Sequence, residues 1–335
     1  MSEVLAIIPA RSGSKTVKHK NIRILNGKPM LVYSIEHALA SKMITRVIVS
    51  TDSEDYADIA RAHGAEVPFL RPPEISGDLA LDIDVFKHAL SYLWETEKYQ
   101  PDIVVQLRPT YPIRDIQDIN TMISLIIDDP TADSIRCVAP AKEIAYKMWR
   151  MDEQQYLTPL LQDIPEAYNM PRQQLPSIYY QNACIDVVRT EVITERNSMS
   201  GSRIIGYTMK HNFDIDTEEE FLKAEQYLKI QNGPSRFVFD IDGVIAEFRG
   251  DLDYSSALPN RKMIGIINRL YDAGNRIVLF TARGYVTKID WAETTRKQLD
   301  EWGLQYHELL FGKPNADFYI DDKMLDLQFL NRYFD

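Results

Sequence analysis

Short apolar runs alternate with helical patterns along the first two-thirds of the chain. The apolar runs, partly β-branched, are Val4–Ala10, Arg46–Asp52, Ile103–Leu107 and Ser134–Ala139. Helical spacing of apolar residues occupies Tyr33–Lys42, Asp55–His63, Ile83–Glu97 and Ile116–Ile127. Strands that alternate with helices are typical of a parallel sheet covered by helices on its faces. The pattern therefore predicts an α/β fold with a mostly parallel, Rossmann-like sheet.

Residues 141–175 break this pattern, because Pro159, Pro165 and Pro171 interrupt them. We expect this irregular segment to leave the compact core. An extended pattern returns at Tyr179–Val188.

A turn-forming cluster, Gln231-Asn-Gly-Pro-Ser235, follows the helix predicted at Glu218–Lys229. After it the alternation restarts, with predicted strands and helices at Phe237–Phe239, Lys262–Asp272, Arg276–Phe280, Asp290–Trp302, Glu308–Phe311 and Phe318–Ile320. The chain has 335 residues, more than one hydrophobic core usually contains. We therefore predict two domains, residues 1–232 and 236–335, the second a small Rossmann-like unit with no room for a cap domain.

Composition narrows the classes of partner. The net charge of -11, without a basic and aromatic stripe, argues against nucleic acid. The N-terminal region has no signal-peptide pattern, and no apolar run approaches the roughly 18 residues of a membrane span, so a cytoplasmic protein is expected. Two cysteines, Cys137 and Cys184, form neither a disulfide framework nor a zinc motif.

A basic loop follows the first predicted strand. It carries Arg11, Lys15, Lys18 and Lys20 around Gly13. In an open parallel sheet this edge binds ligands, and small residues allow backbone N–H groups to approach phosphate oxygens. The loop lacks the Gly-Lys-Ser/Thr ending of a Walker loop. It is either a different phosphate site or a solvated basic loop.

Two carboxylates, Asp214 and Asp216, precede the last helix of the first domain. Alternate residues of an extended chain lie on one face, and Mg²⁺ prefers one or two carboxylates together with substrate phosphates. The alternative is that the pair caps the helix.

Six ordered stretches resemble the acylneuraminate cytidylyltransferases (CMP-sialic acid synthetases). They are Ile8-Pro-Ala-Arg-Ser-Gly-Ser-Lys15 with Lys20-Asn21, Val49-Ser-Thr-Asp52, Arg71-Pro-Pro-Glu74, Leu107-Arg-Pro-Thr-Tyr-Pro-Ile-Arg114, Pro171-Arg-Gln-Gln-Leu-Pro176 and Asp214-Ile-Asp-Thr217. The resemblance covers residues 3–230. It implies a nucleotidyltransferase-type fold and the transfer of CMP from CTP to the anomeric hydroxyl of a nonulosonic acid. Pyrophosphate release and a Mg²⁺ requirement are implied as well.

The resemblance also implies site residues, matched by position. The residues expected at the nucleotide are Arg11, Lys15, Lys20, Asn21 and Arg71. Those expected at the metal are Asp214 and Asp216, and those expected at the sugar are Arg108, Arg172, Tyr180 and Asn182. In related dimers the segment 141–175 crosses to the partner, which implies a homodimer or homotetramer here.

Two departures from the family pattern concern the sugar pocket. Arg108 stands where Gln is usual, and Tyr180 stands where Arg is usual. One positive charge is gained and another lost, and moving a guanidinium moves its carboxylate partner. The acceptor is therefore open to acids other than common sialic acid, such as a legionaminate-, pseudaminate- or Kdn-like acid.

The second domain has a second set of polar residues at predicted strand ends. The set is Asp240-Ile-Asp242-Gly-Val, Thr281, Gly312-Lys313-Pro and Ile320-Asp321-Asp322. In this order they resemble the haloacid dehalogenase (HAD) superfamily of phosphatases over residues 236–335.

That resemblance implies an aspartyl-phosphate mechanism for a phosphate monoester such as a sugar-acid phosphate. Asp240 would attack phosphorus and Asp242 would act as acid and base, while Thr281 and Lys313 stabilise the phosphoryl oxygens. A second Mg²⁺ would be held by Asp240, the backbone carbonyl of Asp242 and Asp321, with Asp322 as a supporting or alternate ligand.

Three functional hypotheses follow. The leading one is a bifunctional enzyme that dephosphorylates a sugar acid and couples it to CMP. The second makes the C-terminal domain a non-catalytic oligomerisation module. The third makes the N-terminal domain a nucleotide sensor that regulates the phosphatase.

Overall fold

The computed structural model of the protein describes residues 2–13, 19–141, 143–209, 213–247, 253–316, 318–319, 321 and 323–334. It divides into two compact units, Met1–Glu225 and Gln226–Asp335. The division falls inside a helix, several residues before the predicted linker at 231–235. No helix in the described ranges has the length and apolar character needed to traverse a bilayer.

The first unit is built on a six-stranded sheet. Its elements are β1 (Val4–Pro9), β2 (Ile24–Leu25), β3 (Lys28–Pro29), α1 (Met30–Ala40), β4 (Arg46–Ser50), α2 (Glu54–Ala62), α3 (Asp82–Glu97), β5 (Ile103–Leu107), α4 (Ile116–Asp128), β6 (Ser134–Pro140), β7 (Trp149–Met151), β8 (Leu157–Pro159), β9 (Tyr179–Arg189), α5 (Thr190–Thr194), β10 (Ile204–Thr208) and α6 (Glu218–Gln231). The strand order in the main sheet is β10-β6-β9-β5-β1-β4. Only β9 runs antiparallel to its neighbours β5 and β6 among these described strands.

Both faces of this sheet are apolar, which is why its strands are near-continuous hydrophobic runs. One core joins β1 residues such as Ala6 and Ile8 to Ile35 of α1 and Ile119 of α4. The other joins alternate strand residues such as Ile7 to Phe86 of α3. Because β1, β4 and β5 are parallel, their carboxyl ends meet at one edge, where the predicted ligand site lies.

The segment 141–175 contains few regular elements, as expected from its prolines. Three single-turn 3₁₀ helices and the β7–β8 hairpin are its regular structure within the described residues. Several apolar side chains of the hairpin are exposed, including Met151 at 67% and Leu157 at 56%.

The second unit contains the parallel sheet β11-β12-β13. Its elements are β11 (Arg236–Phe239), α7 (Arg261–Asp272), β12 (Arg276–Thr281), α8 (Ala292–Trp302), β13 (Glu308–Phe311) and α9 (Leu327–Tyr333). Phe239, Leu279 and Leu299 share its core with the apolar face of α7. The strand predicted at Phe318–Ile320 is wrong for Phe318 and Tyr319, which lie outside any strand, and Ile320 lies outside the described residues.

Candidate active site

The loop that follows β1 is held against the end of β4. Ser12 donates from its backbone N–H and its hydroxyl to the carboxylate of Asp52, at 2.7 and 2.8 Å. Buried Asn21 donates to the carbonyl of Arg11 at 3.0 Å. These contacts place Arg11 and Asn21 together at the carboxyl edge of the sheet. Lys15, also predicted here, lies outside the described residues.

Carboxylates contact the two cations of the predicted phosphate site that the structure describes. Arg11 is ion-paired with Asp78, which lies on the turn before α3. Lys20 Nζ lies 2.9 Å from Asp216 Oδ1. Phosphate oxygens bind Arg and Lys through the same charge-assisted hydrogen bonds. Both cations thus already donate to anionic oxygens, and their predicted contact with phosphate stays a prediction.

Arg71 is buried at the end of β4 and is 5% exposed. Its Nε donates to Ser50 Oγ at 3.1 Å, and its Nη2 donates to the Ser50 carbonyl. Burial lowers the pKa of Arg71 to about 10, against the opposing charges of Asp52 and Asp82. The residue therefore anchors β4, and its predicted contact with the nucleotide stays a prediction.

Asp214 and Asp216 precede α6 without capping it. The Thr217 hydroxyl accepts from the Glu220 N–H at 3.2 Å, and Glu220 Oε2 accepts from the N–H groups of Asp216 and Thr217, both at 2.9 Å. This reciprocal arrangement is a capping box. The helix start is satisfied by other residues, so capping does not explain the two aspartates.

Asp214 fits a metal ligand. The adjacent Ile215 N–H donates to the carbonyl of Thr110 at 3.0 Å, which places this segment beside the end of β5. Asp214 Oδ1 is buried and has no hydrogen-bond partner in the part of the chain that the structure describes. Burial, followed by the charge of Asp216, raises the pKa of Asp214, and the nearby side chains of Tyr111 and Thr110 oppose this rise.

The donor set accordingly suits Mg²⁺, which combines one or two carboxylates with substrate oxygens. In the described ranges no group of three or more His, Cys, Asp or Glu side chains is positioned to hold a metal. Asp214 and Asp216 would therefore need the oxygens of a substrate to complete the coordination.

The predicted sugar-binding residues lie at two places. Tyr180 pairs with Ala139 of β6, and Arg172 Nη2 donates to the Ala141 carbonyl just beyond that strand, at 2.8 Å. Arg108 follows β5 instead, where its Nη2 lies 2.6 Å from Asp82 Oδ2. The structure thus brings Arg172 and Tyr180 to one strand end and Arg108 to another.

Asn182, on β9, and Tyr111, shortly after β5, are both buried. Asn182 Oδ1 accepts from the Cys184 N–H at 3.3 Å, while its Nδ2 has no partner among the described residues. Tyr111 is 2% exposed, and its pKa is raised by burial first, then by Asp214, with a smaller contribution from Tyr180. Tyr111 therefore interacts electrostatically with both Asp214, predicted at the metal, and Tyr180, predicted at the sugar.

Sequence reasoning missed several residues of this site. Asp52, Asp78 and Asp82 each contact a predicted loop or cation. Arg114 is buried and donates from Nε to the Cys184 carbonyl at 3.1 Å and from Nη1 to Ser34 Oγ at 2.9 Å. Asp52 and Arg114 each end a family motif, and only that position indicated a role for them. Their contacts could not be predicted, because their partners are distant in sequence.

Residues 5–238 match the protein-family model described as Cytidylyltransferase. The chain belongs to the cytidylyltransferase family.

Curated relatives of this cytidylyltransferase agree with that assignment. "Post-translational flagellin modification protein B" of Campylobacter coli is 31% identical over 69% of this chain and 97% of its own length. "CMP-N,N'-diacetyllegionaminic acid synthase" of Legionella pneumophila is 30% identical over 68% of this chain and 97% of its own. The "N-acylneuraminate cytidylyltransferase" of Escherichia coli is 42% identical over 41% of this chain and only 30% of its own length.

A solved structure shares the fold. The CTP complex of "CMP:2-keto-3-deoxy-manno-octonic acid synthetase" aligns with a TM-score of 0.52 and 17% identity, over 69% of this chain and 100% of that one. The predicted nucleotidyltransferase-type α/β fold with a mostly parallel sheet is confirmed.

The cytidylyltransferase continues beyond the matched residues into the second unit, where charged groups meet at the ends of β11 and β12. Lys313 Nζ donates to Asp240 Oδ2, and the Lys313 N–H donates to the Thr281 carbonyl at 3.2 Å. Lys313 Nζ also lies 4.0 Å from the centre of the Tyr319 ring. Asp240, Thr281 and Lys313, predicted as one site, therefore lie together.

Asp242 has a partner that sequence reasoning missed. The guanidinium of Arg283 is completely buried and grips both carboxylate oxygens, with Nε 2.9 Å from Oδ2 and Nη2 2.7 Å from Oδ1. Arg283 Nη1 donates to Gln298 Oε1 at 2.8 Å. Asp242 and Gln298 thus hold the Arg283 side chain between them. In the sequence, the only indication of its role was its position two residues after Thr281.

Asp321 is exposed, and its Oδ1 accepts from the Lys323 N–H at 2.8 Å. Asp322 lies outside the described residues. The predicted second set of metal ligands therefore stays a prediction.

Proposed function

We propose that this cytidylyltransferase transfers CMP from CTP to the anomeric hydroxyl of a nonulosonic acid and releases pyrophosphate. The names of its relatives include synthases of CMP-diacetyllegionaminic acid and cytidylyltransferases for N-acylneuraminic and pseudaminic acid. The observation that carries the proposal is the buried, unpartnered Oδ1 of Asp214 beside Asp216, which is itself in contact with Lys20.

The mechanism relies on positioning and charge. The acceptor hydroxyl attacks the α-phosphorus, the bond to the β-phosphate breaks, and the hydroxyl proton passes to solvent. Arg11 and Lys20 exchange their present carboxylate partners for phosphate oxygens, which orients the pyrophosphate leaving group. Asp214 and Asp216 would hold Mg²⁺, which supplies charge neutralisation at the phosphates. The Tyr111 side chain favours the ionised form of Asp214.

The test measures pyrophosphate release from CTP, Mg²⁺ and a panel of nonulosonic acids. We expect turnover with at least one acid, and a loss of at least about a hundredfold in Asp214→Asn, because one metal ligand loses its charge. Glu219→Gln is the matched control, since this exposed side chain pairs only with Lys223 one turn away on α6 among the described residues. Absence of turnover with every acid would refute the proposal and would also support the nucleotide-sensor alternative.

A second activity, phosphate-monoester hydrolysis by the second unit, is favoured by a separate observation. Lys313 contacts Asp240 beside Thr281, while Asp242 is oriented by Arg283. A nucleophilic carboxylate next to a fixed cation and a second oriented carboxylate is the arrangement that an aspartyl-phosphate mechanism requires. A sugar-acid phosphate would be its substrate, and the freed acid would serve the first unit.

The two readings of the second unit make different predictions for Asp240→Asn. If the unit is a phosphatase, this variant loses hydrolysis of a panel of sugar phosphates while CMP transfer continues. If the unit only supports assembly, wild type shows no more hydrolysis than the variant. Truncation at Gly233 then dissociates the oligomer without changing the rate of CMP transfer per site. Light scattering and phosphate release separate these outcomes.

A further inference from the structure

Arg108 has a fixed backbone at the carboxyl end of β5. Its carbonyl accepts from buried Arg114 Nη2 and from Ser34 Oγ, the latter at 3.2 Å. The side chain is about one-third exposed, at 34%. Because its backbone is held and its side chain is partly exposed, Arg108 is suited to bind a ligand at this edge of the sheet.

Asp82 is the acidic partner of Arg108. It is the first residue of α3, where the helix dipole favours a carboxylate. One oxygen, Oδ2, accepts from Arg108 Nη2 at 2.6 Å and from Gln106 Nε2 at 3.2 Å. Gln106 is 1% exposed and lies on β5, two residues before Arg108. A buried amide therefore steadies the carboxylate that in turn holds the guanidinium.

The other nearby carboxylate, Asp186, is ion-paired with a different arginine. It pairs in register with Gln106 on β5 and with Arg136 on β6, so the three side chains form a row across adjacent strands. Arg136 Nη1 lies 2.6 Å from Asp186 Oδ2, and Asp186 is 1% exposed. The charge of Arg108 also acts on Asp186, but among the described residues Asp82 is the carboxylate that hydrogen-bonds to the Arg108 guanidinium.

Arg108 keeps donors for a ligand. Among the described residues, Nη2 is the only guanidinium nitrogen of Arg108 with a hydrogen-bond partner, and Nε is buried, so Nη1 and the second N–H of Nη2 are the donors left for a ligand. An arginine presents five N–H groups in a rigid fork that matches a carboxylate. Holding the fork beforehand reduces the ordering of a flexible side chain that binding would otherwise require.

We propose that Asp82 is a positioning residue for acceptor specificity, which holds Arg108 so that its free donors bind the carboxylate of an acidic sugar. This inference rests on the proposed CMP transfer. Asp82 hydrogen-bonds to Arg108 and Gln106, whereas Asp78, on the turn before α3, contacts the nucleotide-side cation Arg11. The two carboxylates thus hold cations that are predicted to bind different ligands.

The test compares steady-state kinetics of Asp82→Asn, Arg108→Gln and the double variant with the acid that wild type uses. We expect KM for the acid to rise by about tenfold to a hundredfold in Asp82→Asn, the range for losing a hydrogen bond to a charged group. KM for CTP and kcat stay within about twofold of wild type, because among the described residues Asp82 hydrogen-bonds to Gln106 and Arg108 and to no residue predicted at the nucleotide or the metal. Asp84→Asn is the matched control: it removes the same charge two residues further along α3, from an exposed side chain.

The double variant tests whether Asp82 works through Arg108. If it does, adding Asp82→Asn to Arg108→Gln leaves KM for the acid at the value of Arg108→Gln, because the interaction is already absent. Additive increases, an unchanged or lower KM in Asp82→Asn, or an equal rise in KM for CTP would overturn the inference. A wild type that releases no pyrophosphate with any acid would instead refute the proposed transfer itself.

Discussion

His37 on α1 has a ring nitrogen, Nδ1, that is buried without a hydrogen-bond partner in the described part of the chain. Burial, then the charges of Arg114 and Lys28, lowers its pKa from 6.5 to about 3. Between these values the unfolded chain binds a proton that the folded chain does not. The stabilisation of the folded state by the neutral ring is therefore fully present above pH 6.5, and it is lost as the pH falls toward 3.

Replacement of this ring gives a test. Wild type should lose up to about 2 kcal/mol of unfolding free energy through His37 between pH 7 and pH 5, and His37→Gln should lose less over the same interval. Urea unfolding at the two pH values measures the difference. His63→Gln, at an exposed position, is the control and should keep the pH dependence of wild type. Equal pH dependence in all three proteins would contradict the assignment.

Tyr111 illustrates a different effect of one hydroxyl. Tyr111→Phe removes the hydroxyl that interacts with Asp214 but keeps the buried ring. We expect Mg²⁺ binding in the presence of CTP to weaken by about tenfold or more, as for other partners of metal ligands. Isothermal titration calorimetry measures it. Tyr207→Phe removes a 2.7 Å bond to Asp118 elsewhere in the unit and serves as control; equal affinities in both variants would contradict a role at the metal.

Individual site residues were predictable where local chemistry or a family motif marks them. Asp214 and Asp216 precede a helix that Thr217 caps, and Arg11 follows a buried strand, so both positions carry a local signal. Asp78 and Asp82 carry none, because their roles arise from pairing with Arg11 and Arg108 across the tertiary fold. Patterns along a chain identify groups with intrinsic chemistry better than the residues that orient them.

Among elements, buried strands were predicted most closely. β5 was predicted with its observed bounds, because all five of its residues are apolar or buried in the sheet. Helix α1 begins at Met30, three residues before its predicted start, because Met30, Leu31 and Val32 are all buried and conceal the amphipathic period. Strand β10 went unpredicted, since its alternate residues are exposed and only pairing with β6 makes it a strand.

The turn before β10 tolerates only glycine at one position. Gly201 has φ +69°, and a Cβ there would overlap with the side chain of Asp133. That carboxylate accepts from the N–H groups of Ser202 and Arg203, at 2.7 and 2.9 Å, and so fixes the start of β10 beside β6. A side chain at residue 201 would therefore displace the strand.

Gly201→Ala should lower the unfolding free energy by roughly 2 to 4 kcal/mol, from backbone strain and overlap together. Denaturant unfolding measures it. Gly206→Ala, inside β10, is the matched control, because its new methyl group would lie 3.6 Å from Val138 Cγ2 in ordinary contact. A loss in Gly206→Ala as large as in Gly201→Ala would contradict this account of the turn.

At the scale of the molecule, the chain joins a family-matched unit to a second α/β unit outside most of the match. The family model ends at residue 238, one residue before β11 ends, while Asp240 and its contacts lie beyond it. The restart of alternating strands and helices after residue 236 was enough to predict a second unit. The pattern does not predict that Arg283 is the partner of Asp242. It does not predict the activity of the second unit either.

The β7–β8 hairpin bears on assembly. Tyr156, Met151 and Leu157 expose 72, 67 and 56% of their surface, and clustered apolar exposure of this kind marks contact surfaces. The predicted homodimer or homotetramer would bury them against a second copy of the chain. Because the hairpin lies within the irregular segment 141–175, a partner can pack on it without disturbing the sheet.

Charged residues on the hairpin should therefore dissociate the predicted oligomer. We expect wild type to sediment as a dimer or tetramer, and Met151→Glu with Leu157→Glu to shift it toward monomer by at least about tenfold in Kd, since two apolar contacts become buried charges. Leu39→Glu, 51% exposed at the end of α1, is the control and should assemble as wild type does. A monomeric wild type in analytical ultracentrifugation, or unchanged assembly in the hairpin variant, would show that these residues face solvent and that the exposed hairpin has another use.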